Sequence, residues 1–121
     1  MKAKILIAED DTNIRLGLTA TLESEGYAVT AATDGAQALR LFAQEKFSLL
    51  ILDVMMPKKS GFEVCQELRA NEAVKDTLVL MLTAKGRDTD IAQGLGVGAD
   101  GYMTKPFATK DLAARVRQML E

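Results

Sequence analysis

Three short runs dominate this sequence: Lys4-Ile5-Leu6-Ile7-Ala8, Phe47 through Leu52, and Leu78-Val79-Leu80-Met81-Leu82. Apart from Lys4 and Ser48, each is continuously apolar instead of alternating, as expected of strands covered on both faces in a parallel sheet. Parallel strands need crossover connections, and helical patterns lie between the runs. Ile14, Leu18 and Leu22 recur at helical spacing after Asp11 and Thr12, and Gly26 is placed to end that helix. Asp34 with Gln37, and Ser60 with Glu63, give the start signal of a capping box before two further helices. The last helix is expected from about Thr109 to Leu120, with Leu112, Val116, Met119 and Leu120 as its buried stripe. Weaker strands are expected at Ala28 to Ala32 and Gly101 to Met103. A short or fraying fourth helix is expected around Ile91 and Leu95, where Gly94, Gly96 and Gly98 crowd together. Strands alternating with helices predict an α/β fold: a doubly wound parallel sheet with right-handed crossovers and helices on both faces.

With 121 residues, 48% of them hydrophobic, the chain is sized for one domain, expected to span residues 1–121. No apolar run approaches the roughly 20 residues of a membrane-spanning helix, and no leader pattern opens the chain. A cytoplasmic location without a membrane partner is therefore expected. The net charge of -2, with acids and bases interspersed, provides no basic footprint for direct nucleic-acid binding. The lone Cys65 forms neither an internal disulfide nor a zinc spacing. The absence of histidine removes imidazole ligands and any phosphohistidine made within these residues, so if phosphate arrives on this chain it comes from elsewhere.

In an open doubly wound sheet, ligands bind beyond the carboxyl ends of the strands. The first strand runs into Glu9-Asp10-Asp11, the third into Asp53, the fourth into Thr83 and the fifth into Thr104-Lys105-Pro106. Glu9, Asp10 and Asp53 gathered at one edge would raise one another's pKa values or require a cation. An all-oxygen donor set suits Mg2+, which accepts a few carboxylates and leaves positions open. Asp53 is then the candidate nucleophile, because carboxylates form aspartyl phosphates. Lys105 is placed to pair with phosphoryl oxygens and Thr83 to donate its hydroxyl. Asp11 reads as a helix N-cap rather than a further ligand.

Four motifs in order carry a resemblance over the whole chain: Glu9-Asp10; Leu52-Asp53-Val54-Met55-Met56-Pro57 with Gly61; Leu82-Thr83-Ala84; and Tyr102-Met103-Thr104-Lys105-Pro106-Phe107. The sequence resembles the receiver domain of bacterial two-component response regulators. That resemblance implies a chemotaxis-protein-like (βα)5 fold of flavodoxin-like topology with strand order 2-1-3-4-5. It implies Asp53 as the phosphorylation site and Mg2+ held by Glu9, Asp10, Asp53 and the backbone carbonyl of Met55. Lys105-Pro106 is expected to be cis, a form accessible chiefly before proline. The resemblance further implies a partner sensor histidine kinase or histidine phosphotransfer protein and an unknown downstream target or effector domain. It describes a switch with its own phosphotransfer and dephosphorylation chemistry rather than an enzyme. Thr83 and Tyr102 would move on phosphorylation and change the face made by the fourth helix, fifth strand and fifth helix.

Against the winged-helix transcription-factor branch of that family, Ile91, Val97 and Gly101 replace charged residues, while Asp111, Arg115 and Arg117 remain. Ala108 stands where a hydroxyl cap is expected for the last helix. Three other readings compete. A flavin carrier of the same fold would bring its phosphate against Glu9-Asp10. An aspartate-nucleophile phosphatase would want a second carboxylate two residues after Asp53, where Met55 stands. The third is a receiver that only binds, against which Asp53, Thr83 and Lys105 all speak.

Overall fold

The computed structural model describes residues 3–56, 58–72, 76–84, 96 and 98–121. Their elements are β1 (Lys4–Ala8), α1 (Thr12–Ser24), β2 (Ala28–Ala32), α2 (Gly35–Gln44), β3 (Leu49–Asp53), α3 (Gly61–Ala70), β4 (Leu78–Ala84), β5 (Gly101–Lys105) and α4 (Thr109–Leu120). The strands form one parallel sheet in the order β2-β1-β3-β4-β5, the order that the resemblance implies. The fourth helix expected around Ile91 and Leu95 lies outside the described residues, as do Gly94 and Val97.

The continuous apolar runs are explained by two cores, one on each face of the sheet. Leu6, Ala8, Leu50, Leu52, Val79 and Met81 point to the side covered by α2 and α3, where Phe42, Val64, Cys65 and Leu68 meet them. Ile5, Ile7, Leu49, Ile51, Leu80 and Leu82 point to the opposite side, against Leu18 and Leu22 of α1 and Leu112 and Val116 of α4. Alternate residues of one strand thus feed different cores, which is why no polar face interrupts the pattern. Burial of each such aliphatic side chain contributes roughly 1.5–3 kcal/mol.

Three strand boundaries differ from the sequence reading. The third strand begins at Leu49, not Phe47; Phe47 is buried outside the strand, its ring 5.4 Å from that of Phe42. Apolar burial alone suited it to either role. The fourth and fifth strands continue through Thr83-Ala84 and Thr104-Lys105, which pair with each other in register. Polar side chains at these strand ends concealed their extended backbone from a hydrophobicity pattern.

The caps follow the local chemistry. Asp11 accepts from the amide of Ile14 at 3.0 Å, and Ser60 and Glu63 complete a reciprocal capping box. Gln37 diverges from that pattern: its side chain accepts from the Thr33 amide and hydroxyl, while Asp34 caps α2 through the Gln37 amide. Gly26, just past α1, has φ of 96°, a conformation that favours glycine.

At the amino end of β4 and β5, Arg69 of α3 acts as a clasp. It donates to the carbonyls of Gly98 (2.9 Å) and Thr77 (2.6 Å) and to Asp100 Oδ2 (2.7 Å), which also accepts from the Val79 amide at 2.8 Å. Nothing in the sequence pattern announced this network.

Helix α4 starts at Thr109, and its N-cap residue Ala108 brings no side-chain cap hydrogen bond. Replacing Ala108 with serine is expected to stabilise the protein by about 1 kcal/mol. Urea unfolding with an unchanged denaturant slope and a higher midpoint would show it; an unmoved midpoint would contradict the assignment of this cap.

Candidate functional site

The β1 and β3 strands lie side by side, so their carboxyl ends deliver Glu9, Asp10 and Asp53 to one place. One carboxylate oxygen from each lies within 4.8 Å of the others. Glu9 is fully buried and Asp53 nearly so, whereas Asp10 is exposed. Asp11 faces away as the cap of α1, in agreement with its reading as a cap.

Lys105 reaches in from the end of the edge strand β5. Its Nζ is 2.7 Å from Glu9 Oε1 and 3.2 Å from Asp53 Oδ2. The other Glu9 oxygen accepts from the Asp11 amide at 3.1 Å, and Asp53 Oδ1 accepts from the Met55 amide at 3.1 Å. The ammonium thus pairs with Glu9 Oε1, whereas Thr83 Oγ1 is buried without a hydrogen-bond partner. Burial pushes the Glu9 carboxyl above its ordinary value, and the neighbouring Asp53 adds to the shift despite the opposing pull of Lys105. For Lys105 burial works in the lowering direction, but Glu9 and Asp53 together outweigh it and raise the ammonium's pKa.

Gly61 lets the first turn of α3 approach this point. A Cβ there would lie 2.5 Å from the Asp53 carbonyl oxygen, so the glycine is required by close backbone contact. Met55 has an exposed side chain. Lys105-Pro106 is cis. Tyr102 is 44% exposed on β5. The register pairs Met81 with Tyr102 and Thr83 with Thr104, so Thr83 and Tyr102 share the sheet face that carries α2 and α3.

One contact was missed from the sequence. Arg15, one turn into α1, donates Nη1 to the Glu9 carbonyl at 2.9 Å and lies 3.4 Å from that of Asp10. A basic residue one helical turn beyond an acidic loop is the signal that could have revealed it.

Residues 5–117 match the family of response regulator receiver domains. The chain belongs to that family. It is 47% identical over 119 residues to a probable transcriptional regulator, ycf27, of Guillardia theta, covering 98% of this chain and 46% of the relative. It is 45% identical over 120 residues to the alkaline phosphatase synthesis transcriptional regulatory protein PhoP of Bacillus subtilis, covering 99% of this chain and 49% of that protein. The chain therefore spans about half the length of these curated relatives. Its structure is similar to that of the chemotaxis response regulator CheY4 of Vibrio cholerae, with a TM-score of 0.94, 35% identity and coverage of 99% and 100% of the two chains. No helix among the described residues is long and apolar enough to cross a membrane.

The donor set of this receiver suits a hard divalent cation: three carboxylates converge, all offering oxygen, and two of them, Glu9 and Asp53, are buried. Without a cation the native state binds a proton at Glu9 more tightly than the unfolded chain does. Above the ordinary glutamate value of 4.5 the ionised carboxylate therefore opposes folding, increasingly so until the raised native pKa is passed. Glu9→Gln is expected to raise the thermal midpoint of the metal-free protein at neutral pH and to diminish the further rise on adding Mg2+. A lower midpoint for this variant in chelator would mean that the ion pair with Lys105 outweighs the burial of Glu9.

Proposed function

We propose that Asp53 accepts a phosphoryl group from a phosphohistidine on a sensor histidine kinase or a histidine phosphotransfer protein. The observation that carries this reading is the Asp53 carboxylate itself. It stands at the carboxyl end of the central strand, inside an acidic cluster, with the Lys105 ammonium 3.2 Å away. Residues 1–121 then act together as one cytoplasmic receiver domain, a switch rather than an enzyme.

In the transfer, an Asp53 carboxylate oxygen forms the new bond to phosphorus while the donor's nitrogen–phosphorus bond breaks and its electron pair returns to the imidazole. Glu9, Asp10, Asp53 and the Met55 carbonyl would hold Mg2+, which when bound supplies positive charge against the repulsion between carboxylates and phosphoryl oxygens. Lys105 contributes a second cation from β5 and pairs with a phosphoryl oxygen in place of its present contact with Asp53. The unpartnered Thr83 hydroxyl donates to another. The Met55 amide, already bonded to Asp53 Oδ1, keeps the carboxylate oriented.

A phosphoryl group adds about -1.5 to -2 charge together with strong acceptors. Drawing Thr83 toward it alters packing on the sheet face that Thr83 shares with Tyr102, and an exposed tyrosine there is free to turn inward. The change would be read by a downstream target or effector domain at the surface formed by β5 and α4. Moving such an equilibrium from 1:99 to 99:1 requires about 5.5 kcal/mol of differential stabilisation. Contacts from both Lys105 and Thr83 therefore matter more than the charge alone.

Incubation with Mg2+ and acetyl phosphate is expected to add the mass of one phosphoryl group, and Asp53→Asn to abolish the adduct. Lys105→Met is expected to retain the site but weaken the response of the β5 amide signals in heteronuclear NMR. An adduct that survives in Asp53→Asn, or none in the unaltered protein, would overturn the proposal.

A further inference from the structure

Two cations attend the acidic cluster, and they reach it in different ways. Lys105 Nζ touches the carboxylate oxygens of Glu9 and Asp53, the same atoms that a divalent cation would use. Arg15 touches none of them. Its guanidinium approaches from behind, 2.9 Å from the backbone carbonyl of Glu9 and 3.4 Å from that of Asp10, with Nη2 3.4 Å from Thr12 Oγ1. Its own amide donates to the Asp11 carbonyl at 2.9 Å, and its carbonyl accepts from the Thr19 hydroxyl at 2.8 Å. Both ends of the residue are thus fastened, one to α1 and the other to the loop leaving β1.

We infer that Arg15 is a positioning residue for the cation site, fixing the peptide planes from which the Glu9 and Asp10 side chains depart. The inference rests on the proposed metal-dependent reading and extends it to a residue outside the carboxylate set. The physical reason has two parts. Two repelling carboxylates on consecutive residues would otherwise separate by rotating the backbone between them, and Nη1 shared between both carbonyls, with Nη2 beside Thr12 Oγ1, resists that rotation. Arg15 also places positive charge near the pair while leaving every carboxylate oxygen to the cation, whereas Lys105 must yield its contact with Asp53 or Glu9 to a ligand. A residue that orients ligands without binding the metal typically affects affinity by roughly 10- to 100-fold.

The test uses the full chain and three variants: Arg15→Met, which removes charge and donors; Arg15→Gln, which keeps a neutral donor; and Arg15→Lys, which keeps the charge. Free Mn2+ is followed by electron paramagnetic resonance, thermal midpoints are measured in chelator, and acetyl phosphate labelling is measured across a range of Mg2+. Arg15→Met is expected to bind Mn2+ about 10-fold more weakly. Its labelling should return to the unaltered rate at saturating Mg2+, and Arg15→Lys should recover part of the affinity. If Arg15→Met does not fold, Arg15→Gln carries the same expectation with a smaller loss. Unchanged Mn2+ affinity in the folded variants would overturn the inference, even with a lowered midpoint, since that pattern belongs to a merely structural arginine. Mn2+ binding that Asp10→Asn weakens while Arg15 variants do not would refute the role of Arg15 alone; no Mn2+ binding by the unaltered protein would refute the metal-dependent reading beneath it.

Discussion

Like charge gathered at one end of a buried sheet is the constraint around which the rest of this receiver is arranged. Glu9 and Asp53 are removed from water by the strands that make the core, and Asp10 lies beside them. The repulsion is countered by Lys105, whose ammonium bridges Glu9 and Asp53 from the edge strand. That bridge spans β4, which lies between β3 and β5 in the sheet. A change in charge at Asp53 is therefore felt directly by β5, two strands away, without a chain of intermediate side chains.

The same connection gives a physical basis for switching. The carboxyl ends of β4 and β5 carry Thr83 and Lys105, both able to pair with added oxygens. The amino ends of the same strands are tied to α3 by Arg69 and Asp100. Gly98 belongs to this clasp: its φ is 99°, and a Cβ there would press to 3.1 Å from the Arg69 side chain. A rearrangement begun at the proposed phosphoryl site would thus meet a tied far end, which would confine its movement to the site's end of the sheet.

Around β5 the glycine at position 101 is explained by its neighbour on α4. The guanidinium of Arg115 lies so close to Gly101 that a Cβ there would be 2.9 Å from Nη2. An acid expected at that position in the winged-helix branch would change both packing and charge. Arg117 instead approaches Glu25 at the end of α1, at 3.8 Å, an exposed pair that contributes little. The relatives carry about as much chain again outside the matched region.

Much of the architecture was legible because apolar periodicity has a simple physical cause. Ile5 to Ala8 and Leu78 to Leu82 had to be covered on both faces, and Asp11, Asp34 and Ser60 offered side-chain acceptors where helices needed them. Phe47 was misplaced because burial alone does not distinguish a strand from a packed turn. Residues Glu9, Asp10, Asp53, Thr83 and Lys105 were legible as strand-end chemistry, since a parallel sheet brings those ends together. What tertiary structure alone decided was contact at specific atoms: Lys105 shared between two carboxylates, Arg15 on two carbonyls, and Arg69 joining three segments. These arise between residues far apart in the chain or on differently directed side chains, where sequence spacing carries no information about distance or angle.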